Sequence, residues 1–262
     1  MDFITRPHLY ALYALSGIFL GIGFVFPATW LLGFIGVAIF ILALAKTTTA
    51  KQALIGGLVA WTTKSLFAIS WFWSTYPITW IDLSLGKSEV LVVGLYWLTV
   101  SMFLGFGGSL VAGLWYWLKN RLPAIFGILL FPVLWVVGEV FSSLMFSLWT
   151  LGEGSTINTV FSFGYLGYLF GYHERLLLLA SYGGVYLLSF TFILLSYLGC
   201  LVLTIFPRRK ALLIISALVL VLWGSSGSVS TLASTYTTNE EGTVVAIIDT
   251  RFGDEFFKRE DK

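Results

Sequence analysis

The scarcity of charged residues in the first 239 positions constrains the fold of this 262-residue chain more than any other feature. The sequence holds 15 basic and 13 acidic residues, and 11 of these charges fall between Glu240 and Lys262. Hydrophobic residues make up 58% of the chain and charged residues 11%, against about 45–50% and about 25% in soluble domains. A water-soluble fold and intrinsic disorder are therefore excluded for the body of the chain. We predict an all-α integral membrane protein with a short polar tail.

Apolar stretches of about 20 residues can cross a bilayer, and the sequence predicts about seven transmembrane helices in residues 1–227. Prolines and clusters of Lys and Arg separate these stretches, and proline cannot continue a helix. Helices are expected because every backbone polar group must be hydrogen-bonded internally in lipid. The predicted spans are 8–25, 28–45, 52–75, 88–118, 122–143, 176–206 and 210–227.

The distribution of Lys and Arg predicts the orientation. If the N-terminus is cytoplasmic, the outer side holds only Lys87 and Arg175 before the tail. Cytoplasmic segments of membrane proteins carry an excess of Lys and Arg, so we expect a cytoplasmic N-terminus and an extracytoplasmic C-terminus. The cytoplasmic segments then hold eight basic residues: Arg6, Lys46, Lys51, Lys119, Arg121, Arg208, Arg209 and Lys210.

The predicted outer loop at 144–175 contains an aromatic–glycine segment, residues 161–172, with the sequence Phe-Ser-Phe-Gly-Tyr-Leu-Gly-Tyr-Leu-Phe-Gly-Tyr. Aromatic rings suit the headgroup layer because one end of the ring can be wet. The segment is interpreted either as an ordinary interfacial anchor or as the rim through which a lipid or substrate reaches the protein. Arg175 is either an interfacial cap or a ligand for a lipid phosphate. The candidate rim residues are Trp149, Tyr165, Tyr168, His173 and Arg175.

Two charged residues fall inside predicted spans. Lys64 lies near the middle of the third span and Glu139 near the outer end of the fifth. A lysine at the bilayer centre costs about 2.5–3.5 kcal/mol on insertion scales, so it usually has a partner. Counted along the predicted helices, the two residues differ in height by about 8 Å, within reach of both side chains. We predict that they form an intramembrane polar pair; alternatively, each is satisfied separately.

Several classes of function have no support in the composition. A net charge of +2 gives no electrostatic footprint for nucleic acid. His8, His173 and Cys200 show no metal-ligand spacing, so we predict no metal site and no cofactor. Cys200 lies in an apolar stretch and is interpreted as a structural thiol.

The polar tail begins with a predicted linker at 228–241, followed by a β-branched stretch at 242–249 that is typical of a buried strand. A single strand is not a domain. Residues 242–262 are therefore expected to begin a soluble extracytoplasmic domain that this sequence does not complete.

Four stretches, taken in order, resemble the bacterial apolipoprotein N-acyltransferases, integral membrane members of the nitrilase superfamily. Leu-Trp-Val-Val-Gly-Glu at 134–139 is similar to the family's Trp-x-x-x-Glu motif, and Phe-Gly-Tyr-Leu-Gly-Tyr at 163–168 to the aromatic loop that follows it. Residues 181–190 resemble its Gly-Val-Tyr-Gly-Leu-Ser-Phe signature, and 243–249 its first nitrilase strand. The chain departs from the pattern at Asp249, where the family usually has Gln, and in lacking an arginine shortly after Glu139.

The resemblance implies a multi-pass protein of the bacterial plasma (inner) membrane. In the family a nitrilase-like domain carries a Glu base, a Lys that stabilises the oxyanion and a Cys nucleophile, and transfers an acyl group from a phospholipid to the N-terminal amine of a lipoprotein. No catalytic residue can be assigned here, so we expect this chain alone to be inactive. The implied partners are membrane phospholipid and, if a catalytic domain is supplied, a lipoprotein substrate. A non-catalytic polytopic membrane protein and a small-molecule transporter remain the alternatives.

Overall fold

A computed structural model of the chain describes residues 6–77, 88–119, 121, 123–172 and 174–205, and within these ranges it contains helices and no strand. Three short 3-10 helices at Pro27–Thr29, Ser70–Thr75 and Leu166–Tyr172 accompany the α-helices. The predicted seventh span, the linker and the terminal strand lie outside the described residues. The α-helices are α1 Arg6–Val25, α2 Leu32–Lys46, α3 Ala50–Ala68, α4 Glu89–Leu118, α5 Ala124–Trp149, α6 Glu174–Leu177 and α7 Ala180–Ile205.

Four helices in the described part are long and apolar enough to cross a membrane, fewer than the seven spans predicted. Helix α2 has 15 residues, about 22 Å at 1.5 Å per residue, which is shorter than a hydrocarbon core of about 30 Å. Helix α3 contains two charged residues, Lys51 and Lys64, and is also not one of the four candidate spans. The four candidate spans are Pro7–Val25, Glu89–Leu118, Phe126–Trp149 and Ala180–Thr204.

Three predicted helix boundaries need correction. Helix α3 ends at Ala68, before a 3-10 helix that runs to Thr75. Helix α5 continues to Trp149, whereas the sequence predicted an end at 143. The predicted sixth span is divided, because the backbone of α7 is non-helical at Gly183 and Gly184. Gly184 has φ +60° and ψ −157°, a conformation essentially restricted to glycine.

The long helices pack side by side in several pairs, and glycines allow the closest approaches. Helix α1 packs on α2 and α3, α4 on α3 and α5, and α7 on α5 and α2. A Cβ added at Gly57 of α3 would collide with the carbonyl oxygen of Gly108 on α4, and one at Gly107 with that of Gly138 on α5. Small residues have this role between membrane helices generally. Large aromatic side chains fill the centre: Tyr13, Phe40, Trp61, Phe131, Trp135, Phe170 and Phe192.

Hydrogen bonds join the helices at the end of the bundle where α2 and α4 finish and α3 and α5 start, here called the basic end. Thr49 caps α3, since its side chain accepts a hydrogen bond from the Gln52 N–H at 3.2 Å. Lys119 Nζ donates to the carbonyl oxygens of Leu44 at 3.2 Å and Thr47 at 3.4 Å. The lysine therefore satisfies carbonyls that the last turn of α2 leaves without helical partners.

Candidate functional site: a buried polar cluster beneath the aromatic–glycine segment

Lys64 lies on α3 and is buried, with 2% of its surface exposed. Its Nζ lies 3.9 Å from the centre of the Trp61 ring, three residues earlier on the same helix face. A lysine at this distance from an indole is stabilised by a cation–π interaction. The aromatic–glycine segment covers the lysine stem, because the Cβ position of Gly164 is 3.9 Å from Lys64 Cε.

Glu139 lies on α5 and is fully buried. Its Oε1 accepts hydrogen bonds from Trp135 Nε1 at 3.2 Å and from the Leu166 N–H at 2.8 Å. The Ser189 hydroxyl lies close enough to stabilise the carboxylate electrostatically, although Oε2 has no partner in hydrogen-bond geometry among the described residues. The carboxylate therefore connects α5 to the aromatic–glycine segment and leaves one oxygen free.

Two neighbouring indoles connect the two charged residues through pairwise contacts, since Lys64 contacts the Trp61 ring and Trp135 donates to Glu139. The Trp61 and Trp135 rings are 4.9 Å apart and tilted by 49°, so cation, indoles and carboxylate form one buried cluster. Lys64 and Glu139 attract each other electrostatically, although their charged atoms, both in the described part, do not approach to 4.0 Å. Counted from the observed starts of α3 and α5, the residues lie about 21 Å and about 22.5 Å along their helices. The same count from the observed helix starts thus gives a difference of about 1.5 Å in place of about 8 Å.

Side chains of α5 and α7 hold the aromatic–glycine segment against the bundle. The Ser143 hydroxyl is hydrogen-bonded to Tyr165 Oη at 2.6 Å and to the carbonyl oxygen of Phe161. Ser189 Oγ accepts a hydrogen bond from the Gly167 N–H at 2.8 Å. With Glu139, these contacts fix the start of the 3-10 helix Leu166–Tyr172. Its side chains Leu166, Leu169 and Phe170 are buried in the central core.

The candidate rim residues differ in how much of each side chain is exposed. Tyr165 is 1% exposed and points into the cluster, whereas Tyr168 is 46% exposed and its hydroxyl is hydrogen-bonded to Ser162. Trp149 is 39% exposed and packs on Phe103 of α4, with ring centres 4.9 Å apart. His173 and the side chain of Arg175 lie outside the described part. Contact with lipid or substrate at these residues stays a prediction.

The family model described as "Apolipoprotein N-acyltransferase N-terminal domain" matches residues 16–198. The match runs from α1 into α7 and contains the whole buried cluster and the aromatic–glycine segment. The chain belongs to this family. The resemblance inferred from the motifs is thereby confirmed, and with the apolar helices it identifies a multi-pass membrane protein. A search of curated proteins and a search of solved structures found no match.

Sequence reasoning missed several members of the cluster in this N-acyltransferase N-terminal domain. Trp61 and Ser143 were given no role, and Trp135 and Ser189 were noted only as members of family-like motifs. The usable signal was spacing, since Trp61 precedes Lys64 by three residues and Trp135 precedes Glu139 by four, which places each indole on the same helix face as its charge. Ser143 and Ser189 have no comparable signal, because their partners, the Tyr165 hydroxyl and backbone groups, are far away in sequence.

The cluster of this N-acyltransferase N-terminal domain suits positioning rather than bond making. Among the described residues, no three His, Cys, Asp or Glu side chains come together as a metal site would require. The one cysteine of the sequence, Cys200, is partly buried on α7 beside Tyr197. A carboxylate and an ammonium, both buried and bonded to indoles or backbone, can hold a segment in place.

Proposed function

We propose that this chain is the membrane part of a system that transfers an acyl group from a phospholipid to a lipoprotein. In this proposal, the bundle holds the acyl-donor phospholipid at the extracytoplasmic face, where a nitrilase-like domain uses it. The match of residues 16–198 to the N-terminal domain family carries the proposal. The proposed location is the bacterial inner membrane, with the N-terminus and the basic end in the cytoplasm, as the distribution of Lys and Arg favours.

The geometry of the aromatic–glycine segment supports a lipid-contacting rim. Tyr168 and Trp149 are each partly exposed, and amphipathic rings are favoured at the headgroup layer. Beneath them, the bonds from Ser143, Glu139 and Ser189 fix the backbone of the segment. A rim held this firmly loses little conformational entropy when a lipid binds, which favours affinity.

The proposal includes the absence of acyl transfer by the 262-residue chain itself. A nucleophilic cysteine needs a polar, partly exposed site and a neighbouring base or cation that lowers its pKa. Cys200 lies instead within the apolar helix α7, with the phenol of Tyr197 as its titratable neighbour. Tyr197 is not a cation and is no base at neutral pH, so Cys200 lacks the activation that the chemistry needs.

Two measurements on the purified 262-residue chain in detergent micelles test the proposal. A phospholipid with a photoreactive group near its headgroup should label peptides that contain Trp149 or Tyr168, and the double variant Trp149→Ala/Tyr168→Ala should lose most of that labelling. Trp117→Ala, which removes an exposed ring at the basic end, is the matched control and should leave it unchanged. If the double variant is labelled as strongly as the unmodified chain, the proposed rim is contradicted.

The second measurement is acyl transfer to a diacylated lipoprotein N-terminal peptide, followed by mass spectrometry. We expect no acylated amine with the chain alone. Transfer by the chain alone that survives Cys200→Ala would place the chemistry on another residue. Transfer abolished by Cys200→Ala would overturn the structural interpretation of that thiol.

A further inference from the structure

A half-open groove with a volume of about 130 Å³ lies at the basic end, between the end of α4, the start of α5 and α7. Most of the side chains that line it are apolar or aromatic, among them Trp115, Leu118, Leu130 and Tyr197. None of the residues that line it belongs to the Lys64–Glu139 cluster. The groove is therefore a feature separate from the proposed acyl-donor rim.

Gly127 of α5 keeps the groove open. A Cβ at this position would lie 2.9 Å from Tyr197 Oη and 3.1 Å from Trp115 Cη2, closer than ordinary van der Waals contact. A larger side chain would therefore fill the space between α4 and α7. This gives a substitution that closes the groove without changing any charge.

Positive charge lies at the mouth of the groove. Lys119 lines it and uses two N–H groups on the carbonyls of Leu44 and Thr47, so one of its three donors remains for a ligand. Partial burial lowers the pKa of Lys119, and an anion in contact with the ammonium would oppose that shift. Arg121 follows two residues later, with its guanidinium 4.0 Å from the Trp117 ring.

Two further lysines of the basic end are not among the residues that line the groove. Lys46 and Lys51 are exposed there, and no acidic side chain is described at this end of the bundle. A groove of mostly apolar side chains, beside cations that have no acidic neighbour among the described residues, matches a molecule that has both an acyl chain and an anionic headgroup. A small soluble anion would leave the apolar walls unused, and a zwitterionic lipid would leave the net positive charge unmatched.

We propose that this groove binds one anionic phospholipid from the adjoining leaflet. The headgroup phosphate lies between Lys119 and Arg121, and the first few methylene groups of one acyl chain lie in the groove against Trp115 and Leu130. Basic pockets between membrane helices bind anionic headgroups in this way. The site does not depend on the proposed acyl transfer, because it lies at the opposite end of α4 and α5 from the aromatic–glycine segment.

Native mass spectrometry of the purified chain, with phosphatidylglycerol or phosphatidylcholine of identical acyl chains, tests the site. Each basic residue near an anionic lipid surface is worth about 1 kcal/mol, or about fivefold in affinity. Arg121→Gln should therefore weaken phosphatidylglycerol binding about fivefold, and Lys119→Gln/Arg121→Gln about 25-fold, with phosphatidylcholine unaffected. Gly127→Ile should weaken both lipids, and the control Lys46→Gln/Lys51→Gln, with the same loss of charge, should change neither.

Three results would overturn the site. The first is equal binding of both lipids to the unmodified chain. The second is an equal loss in the Lys46→Gln/Lys51→Gln control, which would indicate bulk surface charge. The third is full phosphatidylglycerol binding by Gly127→Ile. If Lys119→Gln unfolds the protein because α2 loses its cap, Lys119→Arg with Arg121→Gln decides the headgroup contact, since Lys119→Arg keeps the charge.

Discussion

Removal of the Glu139 charge tests whether the buried cluster works as one unit. Glu139→Gln keeps an oxygen that can accept from Trp135 Nε1 and the Leu166 N–H. It deletes the negative charge that attracts Lys64, a residue that is 2% exposed. The substitution therefore separates the electrostatic contribution of the carboxylate from its hydrogen bonds.

The electrostatic effect should dominate. Removing one partner of a buried charge pair costs about 3–5 kcal/mol because the other charge is left uncompensated, whereas a hydrogen bond between membrane helices averages about 0.6 kcal/mol. The charged atoms of Lys64 and Glu139 are more than 4.0 Å apart, so we expect the lower end, about 3 kcal/mol for Glu139→Gln. Lys64→Met should cost a similar amount, because it leaves the carboxylate uncompensated.

The double variant Lys64→Met/Glu139→Gln removes both charges together and should cost less than about 4 kcal/mol, against about 6 kcal/mol for the sum of the single variants. The coupling energy is then about 2 kcal/mol, within the range measured for residues in one network. The assay is the free energy of unfolding in dodecylmaltoside micelles, from denaturant titrations followed by tryptophan fluorescence. The unmodified chain, the two single variants and the double variant form a double-mutant cycle, and all four proteins are measured at pH 7 in one buffer.

A coupling energy below about 0.5 kcal/mol, the limit within which independent sites add, would refute the reasoning and show that each charge is satisfied separately. Lys51→Met and Glu153→Gln form a matched control pair, since both residues are exposed and lie near opposite ends of the helices. Each should change stability by no more than about 0.5 kcal/mol, and the two changes should add.

Two further substitutions probe the packing. Gly57→Ala should destabilise the protein by about 1–3 kcal/mol, measured by the same titration, because its new methyl group meets the carbonyl oxygen of Gly108; an unchanged midpoint would contradict the close approach of α3 and α4. Gly184→Ala should cost about 1–3 kcal/mol from backbone strain alone, since nothing lies within 4 Å of its Cβ position. Gly152→Ala, also in open space but without a positive φ, should cost less than about 0.5 kcal/mol, and equal costs at both positions would contradict the strain.

The helices were predictable from the sequence where apolar stretches end at charges or prolines, and were misjudged where polar residues continue a helix. The sequence analysis ended the fifth span at 143 and predicted a loop at 144–175, although α5 continues to Trp149. In the structure, Ser142 Oγ donates to the Leu104 carbonyl at 2.7 Å, and Ser147 Oγ accepts from the Asn158 N–H at 2.9 Å. Hydroxyls that find partners on neighbouring elements do not end a helix, and a single sequence does not show where those partners lie.

The site was predictable only as far as unusual residues indicated it. Lys64 and Glu139 stood out because charge is rare in an apolar chain, and the structure places both in one buried cluster. Trp61 did not stand out, because aromatic residues make up 18% of the sequence, and Trp135 stood out only as part of the Trp-x-x-x-Glu motif. The hydrogen bonds that hold the aromatic–glycine segment are made largely with its backbone N–H and carbonyl groups. Every residue has these groups, so no residue type identifies them.

The position of the buried acid follows from the backbone that it contacts. The first N–H groups of a helix have no partner within that helix, and non-helical backbone is tolerated at membrane depth only where protein covers it. Leu166 and Gly167 begin the 3-10 helix, and their N–H groups donate to Glu139 and Ser189. A carboxylate accepts a stronger hydrogen bond than a hydroxyl does, and its negative charge also stabilises a helix N-terminus electrostatically. Its charge then requires compensation in an apolar interior, which the Lys64 ammonium above Trp61 supplies.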